Sequence, residues 1–262
     1  MRWAAGAILA LLTGAAFLHR PVRIEPSSGT PSRIVSLVPS LTECLFAAGG
    51  GDLLVGRSRF CDHPPEALAA PVVGDVIVDP ESVVALDPDL VLSSRSLLAG
   101  ANERLRQEGI RVVEYDVESV AGVADVIRDI GRRIGRAREA EHAAREFLAR
   151  IEAVRRRPRS GRRIYVEFST DPRMTAGRGM YLHEVIEAAG GVNVFGDREG
   201  WAQVDAEEVV ARRPDIVLVM HGLPAACDGA RVVHVEADIF LRAGPRLADA
   251  AERLYDLLNA PP

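Results

Sequence analysis

The chain has 262 residues, 48% of them hydrophobic and 26% charged, with a formal net charge of −5. That balance fits a soluble globular protein, and its sign disfavours nucleic acid or an anionic membrane surface as partner. The length admits two compact α/β lobes of roughly 110 to 120 residues each.

Residues 1–18 carry one early arginine and then an apolar run, the pattern of a secretory signal peptide, with an uncleaved membrane anchor as the alternative. The polar, proline-rich residues up to 32 read as a tether, so residues 1–32 are set apart from the folded chain. Cys44, Cys61 and Cys227 are an odd number, which leaves at least one thiol unpaired in an exported chain.

Residues 33–37 read as a first strand, and Pro39-Ser-Leu-Thr-Glu43 leads into a helix that ends before Gly49-Gly50-Gly51. These glycines follow a helix rather than precede one, so they read as a C-terminal cap and not as a phosphate loop. A strand at 53–56, a loop at 57–71 and a short strand at Val72-Val73 come next. Residues 78–92 then form a segment that returns 126 positions later as residues 204–218, identical at ten of fifteen places. Each copy reads as an Asp N-cap (Asp79, Asp205), two helical turns with a Val-Val-Ala face, a Pro-Asp break and a buried strand. Two copies at so long a period point to two similar lobes, because a solenoid needs three or more short repeats. A loop at 93–98, a helix at 101–108 and a strand at 111–115 complete an N-terminal lobe over 33–118.

Helical periodicity covers residues 120–134 and 137–157, separated at Gly135. The second stretch spans roughly 30 Å, and residues 119–158 read as a rigid helical connection. The C-terminal lobe, 159–262, restarts with a strand at 163–168, a loop at 169–178 and a helix at 180–189. Ala188-Ala-Gly-Gly191 echoes Ala47-Ala-Gly-Gly50 at an offset of 141, against 126 for the main repeat, so the first lobe holds fifteen extra residues, in the 57–71 loop. The second repeat copy, a loop at 221–230, a strand at 232–235, a loop at 236–244 and a closing helix at 245–258 finish the chain. Strands alternating with helices imply mainly parallel sheets covered on both faces.

The loop at 57–71 opens Arg57-Ser-Arg-Phe-Cys-Asp-His63, a mixture that an ordinary turn does not require. Loops at the carboxyl ends of the strands of an open α/β sheet line the ligand crevice. Phe60, Trp201 and Phe240 offer aromatic faces to a large, flat, mostly apolar ligand, with Arg59, Arg178 or Arg242 for its polar edge. Cys61 and His63 read either as ligands to a bound group or as a loop thiol, half of a Cys44–Cys61 disulfide, and a surface imidazole; a complete zinc site is absent. No nucleophile elbow or tied carboxylate pair supports covalent catalysis. Glu81 and Glu207, equivalent in the two copies, sit where a helix dipole favours a carboxylate; as a pair they also suit two basic patches on a symmetric partner.

Pro39-Ser-Leu-Thr-Glu43, Arg57-Ser-Arg-Phe-Cys-Asp-His-Pro-Pro65, Pro88-Asp-Leu-Val-Leu92, Ala189-Gly-Gly-Val-Asn-Val-Phe195 and Pro214-Asp-Ile-Val-Leu218, in this order, resemble the helical-backbone substrate-binding proteins of ABC importers, and among them the cobalamin-binding branch. The resemblance implies two Rossmann-like lobes joined by a single long rigid helix and a monomeric, periplasmic protein without catalysis, resident cofactor or metal. It implies that a corrinoid is held between the lobes by Phe60, Trp201, Asp238, Phe240 and Arg242, and that Glu81 and Glu207 dock on an ABC permease dimer. Ile239 and Val76 depart from the aromatic residues of that branch. Cys61 and His63 resemble a subgroup, which keeps haem or a ferric chelate as the alternative ligand; an enzyme built on the Cys61/His63 pair is the remaining, weaker alternative.

Overall fold

The structure is a computed structural model that describes residues 29–75, 77–222 and 229–260. The leader or anchor segment, the first part of the tether, Val76 and Cys227 lie outside the described residues. Among those residues no helix is long and apolar enough to cross a membrane. The chain divides into two compact units: Met1–Val117 with Gly122–Glu146, and Glu118–Ala121 with Phe147–Pro262.

The first unit is built from β1 (Ile34–Ser36), α1 (Pro39–Ala47), β2 (Leu54–Arg57), α2 (Pro80–Val84), β3 (Leu90–Ser93), α3 (Arg95–Gln107) and β4 (Val112–Glu114). Its sheet is wholly parallel in the order β2-β1-β3-β4. Parallel strands are covered on both faces, which demands continuous apolar runs; β1 and β3 are buried at every position. Val35, Val83, Val91 and Leu105 lie at the centre of this core. The expected loop at 93–98 is instead the first turn of α3, because the Ser94 hydroxyl accepts from Leu97 N at 3.2 Å as an N-cap; Leu98 then kinks the helix.

Two helices follow, α4 (Val120–Arg133) and α5 (Ala137–Arg155), and the division between the units runs within each of them. In the first unit they pack closely, since a Cβ at Gly131 would collide with Ala140. A buried Asp129–Arg133 pair on α4 is bonded to Tyr115, the residue after β4. Asp129 accepts from Arg133 Nε and from the Tyr115 hydroxyl, each at 2.7 Å, and from Arg132 at 3.0 Å.

The second unit continues with β5 (Arg163–Glu167), β6 (Ser169–Thr170), β7 (Arg173–Ala176), α6 (Tyr181–Ala188), β8 (Val192–Asn193), β9 (Trp201–Gln203), α7 (Ala206–Ala211), β10 (Ile216–Val219), β11 (Arg231–His234), α8 (Ala237–Phe240) and α9 (Leu247–Asn259). Its parallel sheet, β11-β10-β5-β8, has the topology of the first, with β5 in the place of β1 and β10 in the place of β3. The expected loop at 169–178 is a hairpin, β6–β7, and β7 pairs antiparallel with β9 in a second sheet, β6-β7-β9. The expected loop at 236–244 contains the single turn α8.

The sequence repeat is reproduced in structure, although the two caps reach different N–H groups. Asp79 and Asp205 cap their helices by accepting from Glu81 N and Glu208 N. Val83 and Val209 are fully buried. Asp87 and Arg213 both take φ near +45°, at 45° and 46°. Arg33 and Arg163 each donate to carbonyls just after the short helix of their repeat copy, those of Leu86 and Asp87 and of Arg212 and Arg213, while Asp89 and Asp215 accept from the backbone N–H of those arginines at 2.9 and 2.7 Å. These bonds close the helix end that the Pro-Asp break leaves open.

Burial pushes the Asp129 carboxyl pKa up, but the bonds from Arg133 and Tyr115 and the Arg133 charge outweigh it and hold the group below its usual value. A lowered carboxylate contributes stability that is present above the unfolded pKa of about 3.9 and is lost as pH falls through the folded value. Asp129→Asn is therefore expected to cost about 2–4 kcal/mol at neutral pH, with the deficit shrinking below about pH 4. Urea denaturation at the two pH values measures this.

Candidate functional site

In each unit the strand order reverses beside the first strand, so the carboxyl ends of β1 and β3, and of β5 and β10, flank the crevice where ligands of open α/β sheets bind. In the first unit the 57–71 loop is tied to that place. Ser58 N donates to Ser36 O at 3.1 Å, and the Cys61 thiol donates to the same carbonyl at 3.5 Å while lying 3.1 Å from the Ser58 hydroxyl. Buried Arg57 gathers the loop by donating to the carbonyls of Ala70, Ser58 and Arg59 at 3.1, 3.2 and 3.3 Å. Cys61 is 0% exposed, so its sulfur holds the loop from within, whereas Phe60 and His63 remain half-buried and Arg59 exposed. Cys44 and Cys61 are both buried thiols and do not form a disulfide.

In the second unit the corresponding place is held by aromatic rings. Trp201, half-buried on β9, stands opposite Ala176 of β7. Its ring meets Phe168, just after β5, edge-on at 4.9 Å, and Tyr181 edge-on at 5.7 Å. These are favourable T-shaped arrangements. The Tyr181 hydroxyl, whose pKa burial pushes up so that it stays a neutral donor, bonds Leu241 O at 2.9 Å. One tyrosine thus links Trp201 to the segment carrying Asp238, Phe240 and Arg242. Within that segment Phe240 is 4% exposed, and Arg242 pairs with the exposed Asp238 at 3.0 Å. Arg178 is engaged by Glu199 at 2.6 Å.

Phe168 and Tyr181 were not singled out from sequence. The Thr-Asp-Pro-Arg turn is the one sequence signal that could have marked the β6–β7 hairpin, which pairs with the strand that Trp201 begins. A separate cavity of about 290 Å³ in this unit is lined by Val120, Leu148, Ile151, Glu152, Arg155 and Glu184 among others, and by none of the predicted site residues. Among the described residues no cluster of three or more His, Cys, Asp or Glu is placed to hold a metal ion.

Glu81 on α2 and Glu207 on α7 are both exposed. Neither has an ion-pair partner among the described residues, while Glu208, beside the second, is held by Arg198 and Arg212 at 2.7 and 2.9 Å.

Residues 34–237 match the periplasmic binding protein family. A vitamin B12-binding protein of Salmonella paratyphi A (strain ATCC 9150 / SARB42) is 32% identical over 244 residues, covering 87% of this chain and 90% of that protein. The crystal structure of the periplasmic vitamin B12-binding protein BtuF of Vibrio cholerae is similar at 28% identity and a TM-score of 0.74, covering 87% of this chain and 96% of that one. The periplasmic heme-binding protein RhuT from Roseiflexus sp. RS-1 is similar at 26% identity and a TM-score of 0.75, with coverage of 88% and 100%.

Burial pushes the Cys44 thiol pKa far up, with the Glu43 charge adding to it, and buried neutral thiols are inert. Iodoacetamide is expected to leave Cys44 and Cys61 unlabelled in the native protein and to label both after denaturation, as read by peptide mass spectrometry.

Proposed function

The chain belongs to the periplasmic binding protein family, in its helical-backbone class, and on that premise we propose that it captures a corrinoid, with cobalamin first, and delivers it to an ABC permease dimer. The observation that carries this reading is the 32% identity, over nearly nine-tenths of the chain, to a protein named for vitamin B12 binding. In the proposal the protein acts after export, as a monomer, and the corrinoid is cargo rather than a resident cofactor. No bond is made or broken.

The physics of such binding rests on burying a large apolar ring system while meeting a few polar groups at its edge. Phe60 and Trp201 are the proposed ring contacts. Both are half-buried, and Trp201 is braced by Phe168 and Tyr181, so little side-chain freedom is lost when a ring stacks on it. Asp238, Arg242 and His63 are the proposed partners of polar edges. Phe240 and Cys61, buried, support the backbone of their loops. Glu81 and Glu207 are proposed to meet cationic side chains of the permease.

A haem ligand is the second reading, favoured by the similarity to RhuT. Calorimetry and absorbance with cyanocobalamin and hemin separate the two. Tight cobalamin binding, weakened about tenfold or more by Trp201→Ala or Phe60→Ala, is the expected result; a shifted Soret band without corrinoid affinity assigns the protein to haem. Reversing both glutamates, Glu81→Arg with Glu207→Arg, is expected to leave cobalamin affinity intact and to abolish uptake in cells, measured with labelled cobalamin.

A further inference from the structure

Helix α6 holds Trp201 at two places. Tyr181 meets its ring, and two residues later His183 reaches the strand opposite it through Asn193. Asn193 Oδ1 accepts from Phe195 N at 3.0 Å and its Nδ2 donates to Ala176 O at 2.7 Å, which fixes the amide: turned over, it would set oxygen against oxygen and N–H against N–H. The second Nδ2 hydrogen then faces His183 Nδ1 at 3.2 Å, which makes that ring nitrogen the acceptor and puts the imidazole proton on Nε2. Ala176 stands opposite Trp201 in the β7–β9 pair. The imidazole is 13% exposed, and Gly196 keeps its place free, since a Cβ there would come within 3.1 Å of Cε1. Its ion-pair neighbour among the described residues is Glu187 on α6 itself, 3.7 Å from Nε2 and beyond hydrogen-bond reach. β8 and the turn after it meet the ring through the uncharged Asn193 amide and Gly196.

We propose that neutral His183 is a positioning residue for the ligand: through Asn193 it fixes the backbone opposite Trp201, and so the indole face on which the ligand ring stacks. The inference rests on the capture role above and adds the residue that sets the stacking surface. A proton on Nδ1 would face the Asn193 N–H, donor against donor, so the imidazolium form cannot keep this bond. Asn193 must then shift, and the carbonyl of fully buried Ala176 loses its partner. Ligand affinity therefore falls as pH drops across the range in which imidazoles ordinarily titrate, about pH 8 to 5.

Calorimetry of the full-length protein with cyanocobalamin and with hemin, at about pH 7.5 and about pH 5.5, tests this. Whichever ligand binds, the parent is expected to bind it about fivefold more weakly at the lower pH. His183→Asn, whose carboxamide oxygen replaces Nδ1 as acceptor and takes no proton, is expected to keep the parent's high-pH affinity at both values. His183→Leu, which has no acceptor, is expected to bind about fivefold more weakly at both. Thermal melting checks that each variant is folded. Long-range nitrogen-15 NMR of the parent at the higher pH is expected to show a proton on His183 Nε2 and none on Nδ1. A proton on Nδ1, equal affinity of the parent and His183→Leu, or a pH effect that His183→Asn retains overturns the role of His183 and leaves ligand capture standing. A parent that binds neither ligand overturns both.

Discussion

A parallel sheet covered by helices on both faces can be reached by a ligand only where its strands end, and in each unit that constraint decides where function can sit. The connections place helices over the faces, so the crevice opens where the strand order reverses, beside β1 in one unit and β5 in the other. The repeat is the device that builds this geometry twice. A capped short helix, a Pro-Asp break and a strand of buried branched residues deliver β3 and β10 next to the first strand of their unit. The arginine clamp at Arg33 and Arg163 then satisfies the carbonyls at the helix end.

Polar groups inside this framework serve mainly to hold backbone. Arg57 spends its guanidinium on carbonyls of its own loop, Cys61 spends its thiol on Ser36 O, and Tyr181 spends its hydroxyl on Leu241 O. Arg57, Cys61 and Tyr181 are thus turned inward, while His63 stays half-buried and Arg59 exposed. Phe60 and Trp201 stay half-buried, and Glu81 and Glu207 are exposed with no ion-pair partner among the described residues.

The layers of each unit were legible in the sequence because the signals were strong and local: buried strands of valine, isoleucine and leucine, aspartate caps, and glycines at helix ends. The repeat made the two-unit organisation legible without any fold knowledge. The β6-β7-β9 sheet was not legible, since its strands run two to four residues and Ser169-Thr170 has no apolar alternation to report. The start of α3 was misplaced because Arg95-Ser96 gives no periodicity; only the Ser94 cap marks it. For the site, residue types could be named from sequence, but exposure could not. Periodicity cannot distinguish Phe240, buried behind its one-turn helix, from Trp201, half-exposed at a strand edge.

The departures from symmetry carry the remaining information, and the structure adds one to the excess seen in sequence. The Arg33/Arg163 clamps lie 130 positions apart while the Ala-Ala-Gly-Gly signatures lie 141 apart, so the second unit holds eleven extra residues before its signature, just as the first holds fifteen after it. The eleven fall in the region of the β6–β7 hairpin, whose β7 pairs with the strand carrying Trp201; the fifteen make the loop that carries Phe60 and is tied to Ser36 O by Ser58 N and the Cys61 thiol. Two unrelated insertions, at different points of the same duplicated framework, each bring one aromatic residue to the carboxyl edge beside the strand reversal. A shared ancestral fold does not explain that coincidence, because neither insertion is shared. Under the function proposed above, the choice of ligand is expected to lie with Phe60 and Trp201 rather than with the repeat itself.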